Sequence, residues 1–174
     1  TLVETWEGSD CTVAVTDSRF GRAIKINSHY SLGSTGAYMQ EKFQADLPLM
    51  IYPETEDLFF LGVGTGITAG SALDPRHAHV KQIVACELVP EVITAAKKYM
   101  TDVQGFDTTG GLFNDPRATV LVEDGRHYLM ATDKQFDIMP LDVTLGGAGS
   151  ASDNARFHKF TPKVGMDFQI TPEV

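Results

Sequence analysis

Gly62, Gly64 and Gly66 alternate at the end of an apolar run, Leu58-Phe59-Phe60-Leu61, and a segment of small residues follows at once. Glu87 closes a second apolar run, Ile83-Val84-Ala85-Cys86, 21 residues after the last of these glycines. Strand, glycine turn, helix, strand and acid, in that order, is how an α/β sheet holds a nucleotide-like ligand. Glycines let the backbone approach the ligand closely, and the carboxylate accepts hydrogen bonds from ribose hydroxyls. The bland alternatives are a tight strand-to-helix turn with no ligand and an ordinary acid at a strand end. Three alternating glycines weaken a turn unless close approach is needed, which favours the ligand.

Two further acids stand at the ends of later runs. Asp124 and Gly125 follow Ala118 to Val122, where a carboxylate either accepts a hydrogen bond from the exocyclic amine of an adenine or caps the next helix. Asp142 follows Phe136 to Leu141 and precedes a glycine-rich stretch. It either takes a proton from an attacking amine or is a loop acid. The spacing leaves both choices open. His77-Ala78-His79 puts two imidazoles on one side of an extended segment, as metal sites do. No third ligand lies near, so a surface loop and no metal are expected. Ser150 lacks the flanking glycines of a nucleophile elbow.

These residues need elements to hold them. Thr12 to Thr16 and Arg22 to Asn27 flank a turn-like Asp17-Ser18-Arg19-Phe20-Gly21, predicting a hairpin with one wet face. Ala37 to Leu47 is helix-compatible, with Met39, Phe43 and Leu47 at four-residue spacing. From Asp57 onward strands alternate with helices. Strands are expected at Leu58–Leu61, Gln82–Glu87, Ala118–Val122 and Phe136–Leu141. Helices are expected at Ile67–Leu73, from Pro90 to about Met100, and at Arg126–Ala131, with a long loop between 101 and 117. Ala155 to Phe160 reads as helical and Met166 to Thr171 as a last strand. Such alternation implies a parallel sheet with right-handed crossovers and a ligand beyond the strands' carboxyl ends. The glycines, Glu87, Asp124-Gly125 and Asp142 would all meet there.

Fourteen basic residues against 23 acidic leave a net charge of −9, which disfavours nucleic acid or an anionic membrane surface and suits a small cationic substrate. No apolar stretch approaches a membrane span. Two cysteines, Cys11 and Cys86, are too few for a disulfide framework, and a cytoplasmic setting is expected.

In combination, the motifs resemble a family. Leu47-Pro48-Leu49-Met50-Ile51-Tyr52-Pro53, Leu61-Gly62-Val63-Gly64-Thr65-Gly66, Cys86-Glu87-Leu88-Val89-Pro90-Glu91-Val92, Val122-Glu123-Asp124-Gly125-Arg126-His127-Tyr128-Leu129 and Phe136-Asp137-Ile138 look like the spermidine synthase family of aminopropyltransferases, nearest its bacterial spermidine-synthase-like branch. The likeness spans about residues 10 to 150.

The resemblance implies an α/β fold: a Rossmann-like, methyltransferase-type parallel sheet at 51–174, behind a small N-terminal β-hairpin lobe and linking helix at 1–50. The family's last strands are expected to be missing here. It also implies decarboxylated S-adenosylmethionine as co-substrate, with Gly62, Gly64, Gly66, Glu87, Asp124 and Gly125 as its binding residues. Asp142 would activate an amine such as putrescine, Tyr38 and Gln40 would touch that amine, and the enzyme would be a homodimer. The chain departs from the family at Thr65, where an aspartate is usual, at Val143-Thr144-Leu145, and by one residue inserted near Tyr38, Gln40 and Glu41. Thr65 keeps S-adenosylmethionine-dependent methyl transfer as an alternative. A catalytically degenerate nucleoside-binding scaffold is the other.

Overall fold

The computed structural model describes residues 1–140 and the backbone of the short strand His158–Lys159. Asp142, Ser150, the glycine-rich stretch around them and the last expected strand lie outside the described residues.

Residues before 35 form a four-stranded antiparallel sheet in the order β1-β2-β3-β4: Leu2–Glu7, Thr12–Ser18, Gly21–Ile26 and Tyr30–Ser34. The expected hairpin is its centre, β2 and β3, closed by Ser18 opposite Gly21. The sequence reading missed both outer strands. β1 and β4 are mostly exposed or half-buried, so neither carries the apolar alternation that would mark a strand. Val13, Val15 and Ile24 are fully buried and pack on Val92, Ala95 and Ala96 of α3 (Pro90–Tyr99) and on Met100 just after it. At the rim of this contact, Glu4 Oε2 accepts hydrogen bonds from Lys98 Nζ at 2.7 Å and from Tyr99 OH at 2.6 Å.

The second sheet runs β7-β6-β5-β8-β9, with β5 Asp57–Leu61, β6 Gln82–Glu87, β7 Ala118–Val122, β8 Ile138–Met139 and β9 His158–Lys159. Its first four strands are parallel neighbours, as alternation of strand and helix requires. β9 pairs antiparallel with β8. The helix expected over 155–160 is therefore a strand at His158 and Lys159. A short polar segment fits either state locally, and a free edge on β8 decides it.

β5 and β6 read as continuous apolar runs because both faces are covered. Leu58, Phe60, Ile83 and Ala85 face one cluster with Ala69, Leu73 and Leu112. Phe59, Val84 and Cys86 face the other with Phe136. There Phe59 stacks on Tyr128 of α4 (Gly125–Ala131), with ring centroids 5.7 Å apart. β8 stops at Met139, so Pro140 falls just beyond the strand, where its missing N–H is harmless.

Helix α1 (Tyr38–Ile51) runs four residues past its expected end, through Pro48. Pro48 and Leu49 are buried, and that packing outweighs the lost helix bond. Its inward face is also not the expected one. Met39 and Phe43 are exposed, whereas Glu41, Ala45, Asp46 and Leu49 are buried. Hydrogen bonds explain this: Asp46 takes bonds from His77 Nε2 and Arg76 Nη2, each at 2.9 Å. His77 is accordingly only 4% exposed, and its ring meets that of His79 edge-on, which corrects the expected surface loop.

Helix α2 (Ile67–Ser71) presses against the 101–117 loop. A Cβ on Gly70 would overlap the Thr109 carbonyl oxygen. An alanine inside a helix ordinarily stabilises by about 0.5–1 kcal/mol relative to glycine. Here the clash with backbone should reverse the sign. We expect Gly70→Ala to cost about 3 kcal/mol, read as a lower urea midpoint; a midpoint equal to or above the parent's would refute this packing.

Candidate functional site

The glycine turn is built by three positive φ angles: +101° at Gly62, +55° at Gly64 and +81° at Gly66. L side chains rarely adopt such angles, so these positions favour glycine. The turn's amides are largely spent within the fold. Gly62 N donates to Cys86 O, and Gly66 N donates to Val63 O, both at 2.8 Å. Val63 N donates to Glu87 Oε2 at 3.0 Å, and Gly64 N to the same oxygen at 3.4 Å. The turn thus has few free amides with which to cradle a phosphate.

Glu87 is 8% exposed, an expensive place for a carboxylate without partners. Its three partners are backbone donors: Val63 and Gly64 on one oxygen, and Val89 N on the other at 3.1 Å. The residue therefore pins the glycine turn of β5 to the end of β6. At the same time it lines a cleft of about 320 Å³.

Gly62 and Gly64 form one wall of that cleft, Glu123, Asp124 and Gly125 another, and Leu32 of β4 approaches from the N-terminal sheet. Leu61, Leu88 and Arg126 also line it. Sequence reasoning missed all of these. One signal was available for Leu88: an apolar residue directly after an acid at a strand end. It is 66% exposed, an apolar surface beside Glu87 of the kind a planar base covers.

Both sequence readings of Asp124 need not compete, but one is now visible. Its side chain caps α4, accepting Arg126 N at 2.9 Å. Arg126 Nη2 also donates to it at 2.8 Å. These bonds from Arg126 hold the Asp124 carboxyl down at about 2, so it is ionised at any working pH. Cys86 shares the cleft, but burial, with Glu123 and Asp124 nearby, pushes its thiol up to about 11. It is therefore no nucleophile near neutrality. Gly125 packs tightly, since a Cβ there would overlap Leu61 Cδ1 and make that side chain shift.

Tyr38 and Gln40 are not brought to this cleft. Tyr38 starts α1 with its ring edge-on to Phe106 at 5.7 Å, and Gln40 is exposed. Among the described residues, no group of three or more histidine, cysteine or acidic side chains has metal-binding geometry. No helix of the described residues is long and apolar enough to cross a membrane.

Residues 39–162 match the spermine/spermidine synthase domain. The chain belongs to that family. The polyamine aminopropyltransferase 1 of Aquifex aeolicus is 28% identical over 130 residues, which are 75% of this chain and 44% of that protein. The polyamine aminopropyltransferase of Thermotoga neapolitana is 30% identical over 125 residues, 71% of this chain and 38% of that protein. The chain thus spans less than half the length of these relatives. Among solved structures, a spermidine synthase in complex with the transition state analogue AdoDATO superposes with a TM-score of 0.71 at 23% identity, over 82% of this chain and 46% of that one. A spermidine synthase from Thermotoga maritima gives 0.70 at 22% identity, over 81% and 47%. These likenesses establish the Rossmann-like, methyltransferase-type fold.

Proposed function

We propose that this family member transfers an aminopropyl group from decarboxylated S-adenosylmethionine to a diamine such as putrescine. The observation that carries the reading is Glu87, a buried carboxylate that lines the cleft while fastened to the glycine turn. Such a group accepts hydrogen bonds from a ribose diol, and its pinning keeps the acceptor geometry fixed before the ligand arrives. Asp124 would accept from the adenine amine, and Leu88 would cover the base. The similarity to polyamine aminopropyltransferases, and the AdoDATO complex of one structural neighbour, support the same ligand class.

In the reaction, the amine nitrogen attacks the methylene beside the sulfonium. A C–N bond forms as the C–S bond breaks, and the sulfonium leaves as the neutral thioether methylthioadenosine. Asp142, three residues beyond β8, would orient the amine and take the proton the nitrogen sheds. A net charge of −9 suits two cationic reactants. A small cationic amine as second substrate, a cytoplasmic setting and a homodimer go with this reading.

Calorimetry with decarboxylated S-adenosylmethionine, intact S-adenosylmethionine and methylthioadenosine tests it. Binding of methylthioadenosine and a preference for the decarboxylated form are expected. A preference for the intact form would replace the reading by methyl transfer, and no binding of any of the three would leave a scaffold.

A further inference from the structure

The glycine turn from Gly62 to Gly66 contains no acidic residue, but α1 brings a carboxylate to it. Thr65 Oγ1 donates to Glu41 Oε2, and Ser34 N donates to Glu41 Oε1 at 2.8 Å. Thr65 is 1% exposed and Glu41 8%. β4 closes the remaining side. Gly33 has φ of +145°, and a Cβ on it would come within 2.5 Å of Glu41 Oε1 and 2.8 Å of Thr65 Cγ2. The two chain neighbours of this contact, Leu32 and Gly64, line the cleft. Glu41 therefore stands directly behind the wall where the N-terminal sheet meets the glycine turn.

The sheet order says which part of a ligand would meet that wall. Asp124 follows β7, Glu87 ends β6 and the glycine turn follows β5, and these strands are neighbours in the order β7-β6-β5. A nucleoside with its base at Asp124 and its ribose at Glu87 directs its 5′ substituent over the turn. The acids that line the cleft itself lie toward the base and ribose side. Glu87 serves backbone donors, Asp124 is held by Arg126, and Glu123 lies on the β7 side.

We propose that Glu41, with its charge set against Thr65, selects the 5′ substituent: it favours a chain ending in an ammonium alone and disfavours one that also bears a carboxylate. The preference follows from Coulomb attraction to the ammonium and repulsion of the carboxylate in a site shielded from water. The inference rests on the nucleoside reading above, and the experiment separates the two. Titrate the parent protein and Glu41→Gln with methylthioadenosine, decarboxylated S-adenosylmethionine and the intact form. Glu41→Gln should bind the decarboxylated form at least about 10-fold more weakly and lose its preference over the intact form, with methylthioadenosine unchanged. Equal losses for all three ligands would reduce Glu41 to a structural clamp and overturn the assignment, as would no loss at all. A second pair carries the test should Glu41→Gln not fold. Glu41→Gln/Thr65→Asp and Glu41→Gln/Thr65→Asn differ essentially in one charge. The first should keep the preference and the second lose it, and identical behaviour overturns the proposal. Failure of the parent protein to bind methylthioadenosine is a different result, which overturns the nucleoside reading itself.

Discussion

Glu87→Ala should weaken methylthioadenosine binding by about 100-fold and destabilise the fold by about 3 kcal/mol. Both effects come from one carboxylate. In the folded protein it accepts from the amides of Val63, Gly64 and Val89. Truncation leaves these donors without their acceptor, and each buried unsatisfied group costs about 1–3 kcal/mol. The sum is not reached, because the long Gly64 contact at 3.4 Å is weak and water can enter the space vacated beside the cleft. The glycine turn then loses its tie to β6, and the ribose loses its acceptor. Glu87→Gln keeps one acceptor oxygen and should fall between alanine and the parent. Urea midpoints measure the first effect and calorimetry the second. An alanine variant that binds the nucleoside as tightly as the parent would remove Glu87 from the site.

The largest effect on turnover is expected at Asp142. Asp142→Asn should slow aminopropyl transfer by about 10²–10⁴-fold, the range for loss of a positioned general base, while methylthioadenosine affinity stays within about twofold. The division follows from roles. A proton acceptor acts on the amine and not on the nucleoside, so its loss belongs in kcat rather than in product binding. Steady-state kinetics with putrescine, beside calorimetry on the same preparations, makes the comparison. Turnover equal to the parent's would exclude Asp142 from the mechanism. Lost turnover together with lost nucleoside affinity would mean a disturbed cleft instead.

Strands β5, β6 and β7 of the second sheet were legible because their signal is local. Ile83-Val84-Ala85-Cys86 is apolar without interruption because both faces of β6 are covered, and β6 and β7 have the bounds that the run lengths suggest. The glycines were legible for a related reason: positive φ angles favour them, whatever the rest of the chain does. Other features gave no such trace. β1 and β4 are held by neighbours on a sheet and bury little, so their residues look like loop. α1 hides a charged and hydrogen-bonding face and exposes Met39 and Phe43, because Glu41 and Asp46 find partners 24 to 31 residues away. Hydropathy cannot register that inversion, since a paired buried carboxylate and a solvated one are the same letter.

The sequence by itself determined the parallel α/β sheet, its glycine turn and the acids at its strand ends, because each follows from residue type and short-range periodicity. Only the tertiary structure decided what those acids do at rest: Glu87 fastened to three amides, Asp124 capping a helix under Arg126, and Glu41 carried by α1 to Thr65. A side chain's charge is written in the sequence. Its partners are set by which distant segments the packed core brings within hydrogen-bond reach.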